Sequence, residues 1–331
     1  MKAQIKPKKY RIVDLHLAGR SKLRLLIYHP LCQDYVRTLS SQVNLKDITG
    51  QSLEMEALDK VDVLLTWRCP ESVLAALRNL KWVQTTSAGI NQLLDYFRRR
   101  PDLIVTTTKG LQAEGVSSMA LLMMLAFHWK LPALLERQKK HTWEKHHMEV
   151  ISKSTCAVVG LGNIGRMVAA HAKHLGMRVV GLKRQKEPVE NVDQICTQEQ
   201  LHEMLGIADF VVLSLPLTEE TRGMFGGAEF KAMKQSAYLI QVARGGIVDE
   251  RALLSALNSG KIAGAAIDVF EEEPLPADNS LWDAPNIIIT PHLAGVRGDY
   301  VEGASAALLH NLRVFPNKSL MKGLADAKKG Y

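Results

Sequence analysis

Three side chains in the last third of the chain are suited to a reaction that moves a proton at a carbonyl. Arg244 follows the run Leu239-Ile240-Gln241-Val242-Ala243, Glu273 follows Asp268-Val269-Phe270, and His292 follows Ile287-Ile288-Ile289-Thr290-Pro291. A guanidinium grips a carboxylate and an adjacent carbonyl oxygen through two parallel donors. A histidine can give a proton to a carbonyl oxygen as hydride reaches the carbon, and a neighbouring carboxylate would favour its charged form. Residue type alone leaves each a second role: Arg244 as a surface cation, Glu273 as one of three exposed glutamates, His292 as a loop histidine.

The elements that would position these groups begin at mid-chain. Val158-Val159-Gly160-Leu161-Gly162-Asn163-Ile164-Gly165 reads as a buried strand that breaks into a glycine turn and then a helix, the arrangement that binds a dinucleotide pyrophosphate. Gly160 permits the tight turn, Gly162 lets the backbone approach the phosphates, and Gly165 lets the helix pack on the strand. The helix N-terminus then faces the anion. At the end of the next strand an NAD site places Asp or Glu, about 20 residues beyond the glycines, on the ribose 2′-hydroxyl. This chain has Lys183-Arg184 there. Two cations attract a 2′-phosphate, so NADP is expected, with NAD possible; the other reading is two exposed cations that end a strand.

Alternating strands and helices predict two doubly wound α/β domains with parallel sheets. Strands are expected at 23–28, 61–66, 82–85 and 103–106, with a helix over 70–80. The second set is expected at 156–159, 178–182, 210–213, 237–242, 263–268 and 287–290. Asp249 suits the N-cap of a helix over 250–258, with Gly260 just past its end. The segment 117–129 is apolar all round, so it reads as a buried helix whose methionines fill core. Residues 138–147 read as a solvated arm. An amphipathic helix over 300–315 is expected to return to the first domain. The domains are therefore placed at 1–120 with 297–331, for substrate, and at 121–296, for the dinucleotide.

The 331 residues are 47% hydrophobic and 23% charged, which fits a soluble globular protein. The net charge of +8 is spread along the chain and would steer acidic ligands. No basic stripe with interleaved aromatics points to nucleic acid. Cys32, Cys69, Cys156 and Cys196 form no C-x-x-C pair, so no metal site is expected and reduced thiols in the cytoplasm are. The basic start lacks the apolar core of a signal peptide, and the residues before about Ser21 read as a solvated tail. No stretch approaches the ~20 apolar residues of a membrane span.

The chain resembles the D-isomer-specific 2-hydroxyacid dehydrogenases, the family of phosphoglycerate dehydrogenase and the glyoxylate/hydroxypyruvate reductases. The resemblance rests on the glycine loop, on Leu213-Ser214-Leu215-Pro216-Leu217-Thr218 with Glu220-Thr221-Arg222-Gly223, and on Val242-Ala243-Arg244-Gly245-Gly246-Ile247-Val248-Asp249. It rests further on Asp268-Val269-Phe270-Glu271-Glu272-Glu273-Pro274 and Thr290-Pro291-His292. The motifs span about Ser87 to Gly295, and Thr86-Ser87-Ala88-Gly89-Ile90 is similar to the substrate loop. The ending Lys329-Gly330-Tyr331 resembles the NADP-using reductase branch.

The resemblance implies a Rossmann domain inserted in a flavodoxin-like substrate domain. It implies that Arg244 holds substrate, that His292 is the acid/base paired to Glu273, and that Glu271 and Glu272 are bystanders. Substrate contacts would come from Ser87, the Ala88 and Gly89 N–H groups, Trp67 and Arg68, although packing in the core is an equal role for Trp67. Cofactor contacts would come from the glycine loop, Asn163, Ile164, Pro216, Thr221, Val242, Ala243, Asp268 (on the nicotinamide amide), His292 and Gly295. Gln241 and Ser118 stand where the family usually has Asn and Glu. The activity implied is NADPH-dependent reduction of a small 2-oxo acid to the D-2-hydroxy acid by a homodimer, with the arm over 131–147 as candidate interface. The alternatives are a dinucleotide-sensing corepressor-like protein and an NAD-dependent phosphoglycerate-type dehydrogenase. Against the latter stand Lys183-Arg184 and the expectation of no appended regulatory domain after Phe315.

Overall fold

The structure, a computed structural model, describes residues 10–17, 22–49 and 55–326. The chain divides into two compact units, Met1–Leu111 with Arg297–Tyr331, and Gln112–Val296. The first boundary lies at Leu111 rather than at residue 120, because Ala113–His128 is one continuous helix that belongs to the second unit.

The first unit is built on strands β1 (Tyr10–His16), β2 (Leu23–Tyr28), β3 (Asn44–Asp47), β4 (Val63–Thr66), β5 (Trp82–Thr85) and β6 (Ile104–Thr106). They lie in the order β3-β1-β2-β4-β5-β6. From β2 to β6 the neighbours are parallel. Successive side chains point to opposite faces. Leu26 and Leu64 therefore join one buried layer with Val73, Leu74 and Phe97, while Leu25, Ile27, Val63 and Leu65 join another with Tyr35 and Leu39. The helices behind these layers are α1 (Cys32–Ser40), α2 (Met55–Asp59), α3 (Glu71–Ala76) and α4 (Leu94–Arg99).

β1 corrects the expectation of a solvated tail. It pairs antiparallel with both β2 and β3, so this sheet is mixed. Tyr10, Ile12, Val13 and Leu15 are all buried, and they divide between the two faces. The strand carries a charge inward at Asp14, which is 6% exposed and bonds to Lys22 Nζ and Arg24 Nε, each at 2.9 Å. The surrounding basic residues mask this apolar core in the sequence. Residues 1–9 and the ending Lys329-Gly330-Tyr331 lie outside the described residues.

The helix Tyr300–Val314 belongs to this first unit and buries Ala304, Leu308, Leu309 and Leu312 against the sheet layer of Val13, Leu15 and Leu25. A buried polar network locks it there. Trp82 Nε1 donates to Thr106 Oγ1 at 2.7 Å, and Thr106 Oγ1 donates to Gln84 Oε1 at 2.7 Å. Asn311 Nδ2 donates to Gln84 Oε1 and to the Lys322 carbonyl, both at 3.0 Å, and Asn311 Oδ1 accepts from Lys322 N at 2.8 Å.

The second unit carries strands β7 (Thr155–Val159), β8 (Arg178–Leu182), β9 (Gln194–Cys196), β10 (Phe210–Leu213), β11 (Tyr238–Gln241), β12 (Gly264–Ile267) and β13 (Ile287–Ile289). They form one parallel sheet in the order β13-β12-β11-β10-β7-β8-β9. One strand more is present than the sequence pattern predicts, because β9 has only three residues and gives no periodic signal. The winding reverses between β7 and β10, the switch point at which doubly wound sheets bind ligands.

Helices α5 (Ala113–His128), α6 (Leu131–Lys139), α7 (Asn163–His174), α8 (Leu201–Ile207), α9 (Gly227–Ala232) and α10 (Glu250–Asn258) complete this unit. Met123, Met124 and Phe127 of α5 are buried with Val168, Ala169 and Ala172 of α7. Asp249 caps α10, accepting from Arg251 N and Ala252 N. No single helix among the described residues is long and apolar enough to cross a membrane.

Asn311→Ala should leave the Lys322 N–H and carbonyl without this partner and take one of two donors from Gln84 Oε1, at a cost of about 1–3 kcal/mol, the usual range for a stranded buried polar group. Urea denaturation followed by circular dichroism reads this as a lower midpoint; an unchanged midpoint would show that the network is dispensable.

Candidate active site

The glycine turn leaves β7 at Gly160, whose φ is +97° and whose hypothetical Cβ would lie 2.8 Å from Leu215. A Cβ on Gly165 would fall 1.9 Å from the Gly160 carbonyl oxygen, so the first turn of α7 sits directly on the end of the strand. Gly162 differs: a Cβ there would meet nothing within 4 Å, and its φ of −75° is ordinary. Its glycine leaves open space above the turn. No side chain caps α7 and no acidic residue stands in its first turn, so its leading N–H groups remain available. Open space over uncapped donors at a helix N-terminus is what a pyrophosphate requires. Asn163 and Ile164 open that helix. Ser214, just past β10, donates through Oγ to the Gly160 carbonyl at 2.7 Å and ties the two sides of the switch point together.

Lys183 and Arg184 follow β8 directly, and each holds a carboxylate: Lys183 Nζ lies 2.6 Å from Glu187, and Arg184 lies 2.5 Å from Glu220. After β10 the loop closes on itself. Thr221 Oγ1 donates to the Pro216 carbonyl at 2.7 Å and accepts from Thr218 N at 2.8 Å.

Arg244 leaves β11 through buried Val242 and Ala243. The Gln241 amide braces this turn: its Nε2 donates to the Arg244 carbonyl at 3.0 Å and its Oε1 accepts from Ala243 N at 3.3 Å. The longer side chain that stands where the family usually has Asn thus works as a backbone clamp. Gly245 is needed because a Cβ would lie 1.8 Å from the Phe270 carbonyl oxygen, so the loops after β11 and β12 are in backbone contact. Arg244 donates to the Ala243 carbonyl at 2.7 Å. Burial lowers the pKa of its guanidinium, against the field of the Glu273 carboxylate.

Glu273 and His292 form a pair, with His292 Nδ1 2.8 Å from Glu273 Oε2 and 3.0 Å from Oε1. Of the three successive glutamates, only Glu273 bonds to His292 among the described residues. Phe270 N donates to Glu273 Oε1 at 3.1 Å and fixes the carboxylate. With Nδ1 directed at the carboxylate, Nε2 is left to exchange a proton. His292 holds a φ of +50°. Asp268, 1% exposed, secures that segment: it accepts from Thr290 Oγ1 at 2.6 Å, Leu293 N at 3.0 Å and Ala294 N at 3.1 Å. The resemblance gives Asp268 a nicotinamide contact; its side chain is occupied in building the His292 loop. Gly295 follows, with room for its backbone beside Gln112.

In the first unit, Ser87, Ala88 and Gly89 form the loop after β5. Ser87 Oγ donates to the Gly89 carbonyl at 2.6 Å, and Thr108 N donates to the Ser87 carbonyl at 3.1 Å. The N–H groups of Ala88 and Gly89 have no partner among the described residues, so they are free for an anion. Trp67 follows β4 and is 41% exposed, which removes it from the core. The Arg68 guanidinium lies 4.8 Å from its ring centroid, a cation–π contact. Both border a pocket of about 550 Å³ that Tyr28, His29, Cys69 and Gln92 also line.

His29 is the residue of this pocket that motif reading misses, since His-Pro after a strand carries no spacing signal. It is 5% exposed, its Nδ1 accepts from Leu31 N at 3.0 Å, and its ring meets Tyr35 edge-on. Burial pushes its pKa down to about 4.

A sequence profile described as "D-isomer specific 2-hydroxyacid dehydrogenase, NAD binding domain" matches residues 121–294. The chain is 31% identical to a D-3-phosphoglycerate dehydrogenase of Methanocaldococcus jannaschii over 82% of its own length, but it spans only about half (53%) of that relative. It is 28% identical to glyoxylate/hydroxypyruvate reductase A of Yersinia enterocolitica, over 93% of this chain and 100% of the relative. The structure matches a D-isomer specific 2-hydroxyacid dehydrogenase of Xanthobacter autotrophicus, solved with NADPH and MES, at a TM-score of 0.82 and 29% identity, covering 93% of this chain and 99% of that one.

His29 titrates near 6.5 when unfolded and near 4 in the fold. Its folded pKa is the lower one, so the unfolded chain takes up a proton first as pH falls. Stability should therefore decline from about pH 6.5 to pH 4, by up to about 3 kcal/mol from this group. His29→Gln should flatten that acid-side loss in denaturation midpoints measured across the window; an identical slope would remove His29 from it.

Proposed function

This chain belongs to the D-isomer-specific 2-hydroxyacid dehydrogenases, and from that premise we propose that it reduces a small 2-oxo acid of the glyoxylate or hydroxypyruvate type to the D-2-hydroxy acid, using NADPH. The observation that carries this reading is the His292–Glu273 pair at 2.8 Å, on the same sheet edge as Arg244 and the glycine turn.

In this mechanism the bound dinucleotide supplies the hydride. The N-terminus of α7 and the open face of Gly162 hold its pyrophosphate, and Lys183-Arg184 favour a 2′-phosphate over a 2′-hydroxyl. Arg244 holds the substrate carboxylate or oxo group, and its desolvation strengthens that grip. Within the first unit, the Ala88 and Gly89 N–H groups are donors suited to a carboxylate, and Trp67 and Arg68 line that unit's own pocket. His292 gives the Nε2 proton to the carbonyl oxygen, while Glu273 fixes the ring's tautomer and orientation through Nδ1.

The phosphoglycerate-type reading has in its favour the similarity to relatives of that name, the one of M. jannaschii among them. A panel of 2-oxo acids assayed with NADPH and NADH separates the readings. Turnover of glyoxylate or hydroxypyruvate with higher kcat/KM for NADPH supports the reductase. An NADH preference with phosphorylated substrates supports the other, and tight cofactor binding without any turnover supports a sensor.

We also propose that the protein works in the cytoplasm as a homodimer. Leu122, Trp129, Leu131, Leu135, Trp143 and Val150 are all exposed apolar residues of one segment of the second unit, and Trp143 is 94% exposed. Exposed apolar side chains gathered in one stretch of sequence favour association through it.

His292→Ala should lower kcat by about 10²–10⁴, the usual contribution of a positioned acid, far more than it weakens cofactor binding. Arg244→Ala should raise substrate KM and lower kcat together. Steady-state kinetics with a separate cofactor titration checks both; undiminished turnover in the histidine variant would remove His292 from the chemistry. Sedimentation velocity should show a dimer that Trp143→Ser weakens, and a monomeric wild-type chain would dispose of the interface.

A further inference from the structure

Lys183 and Arg184 stand side by side at the end of β8, but neither cation waits unpaired. Glu187, four residues beyond Lys183, reaches back to it at 2.6 Å. Glu220 reaches Arg184 at 2.5 Å from the loop beyond β10, on the other side of the switch point. The Lys183 hydrogen bond holds the Glu187 carboxyl below its usual range, so that carboxylate stays ionised. A phosphate that is to bind these cations must take the place of carboxylates already there. Both Arg184 and Glu220 are well exposed, at 68% and 75%. Pairs in that setting are weak and easily exchanged.

We propose that Glu220, with Glu187, is the resident counter-ion of the Lys183–Arg184 pair, and that these two glutamates set how strongly the site prefers a 2′-phosphate to a 2′-hydroxyl. The inference rests on the reading of Lys183-Arg184 as the 2′-phosphate site. With NADPH, a 2′-phosphate carrying about 1.5–2 negative charges must compete with these carboxylates for the two cations, which costs part of its affinity. With NADH, the carboxylates stay, and two adjacent cations are not left to repel each other. The glutamates therefore lower the affinity for NADPH without lowering that for NADH.

The test is titration of the full-length protein with NADPH, NADH and adenosine 2′,5′-bisphosphate, read by calorimetry. Glu220→Gln should tighten NADPH and the bisphosphate about two- to fivefold, the strength of an exposed pair, with NADH unchanged. The gain should vanish in an Arg184→Ala background. Arg184→Ala alone should weaken NADPH and spare NADH. If it weakens NADPH while Glu220→Gln has no effect, or tightens both cofactors equally, the 2′-phosphate site stands and the counter-ion role falls. If Arg184→Ala leaves NADPH affinity unchanged, the 2′-phosphate reading fails and takes this inference with it.

Discussion

The Asp268 carboxylate is 1% exposed and must find its donors inside the fold; it takes Thr290 Oγ1 and the N–H groups of Leu293 and Ala294. These donors flank His292 on both sides. A buried carboxylate without them would be costly, so the segment is bound to a single path around it. That path carries His292 through a φ of +50°, a region few side chains adopt. The strain is held by charge-assisted bonds at either end, and the result is an imidazole with Nδ1 on Glu273 and Nε2 outward. The His292–Glu273 pair is thus the end of a chain of obligations that starts one strand away, at the close of β12.

Close backbone contacts set the rest of the edge. Phe270 N orients Glu273 at 3.1 Å, while the carbonyl of the same Phe270 excludes any side chain from position 245. Arg244 and Glu273 are therefore carried on loops in direct contact, and the position of one fixes the other. The glycine turn repeats the pattern between β7 and α7, where Gly160 and Gly165 touch and Ser214 closes the third side. Parallel strands bring their carboxyl ends to one edge by topology. The contacts among the loops turn that rough convergence into defined geometry.

Much of this was legible in the sequence, for identifiable reasons. The glycine turn, the parallel strands of the second unit and the Asp249 cap are local: a few residues determine each, and their pattern is periodic or steric. The placement of Arg244, Glu273 and His292 after successive strands followed from the same pattern. β1 was not legible, because its burial depends on pairing with both β2 and β3 and on Asp14 finding Lys22 and Arg24, none of which its own residue types announce. The clamp by Gln241 and the loop built on Asp268 are tertiary too; residue type said only that each was polar. His29 lacks any spacing cue, and its shifted titration comes wholly from being enclosed. Trp67 could be core or pocket by composition, and only its exposure separates them.

The groups proposed to bind anions in this fold are of two physical kinds, and the difference explains what could be read from sequence and what could not. The leading N–H groups of α7 and those of Ala88 and Gly89 are dipolar. They carry no net charge, so they can stay open, solvated by water, with no counter-ion built nearby. Lys183 and Arg184 are full charges placed side by side, and the fold sets Glu187 and Glu220 beside them. A dipolar site is recognised from the turn that makes it. A charged site is recognised from its cations, but its selectivity depends on the anions that already hold them. Glu220 lies 36 residues from Arg184 along the chain, and only the folding of β8 and β10 on either side of β7 makes the two neighbours.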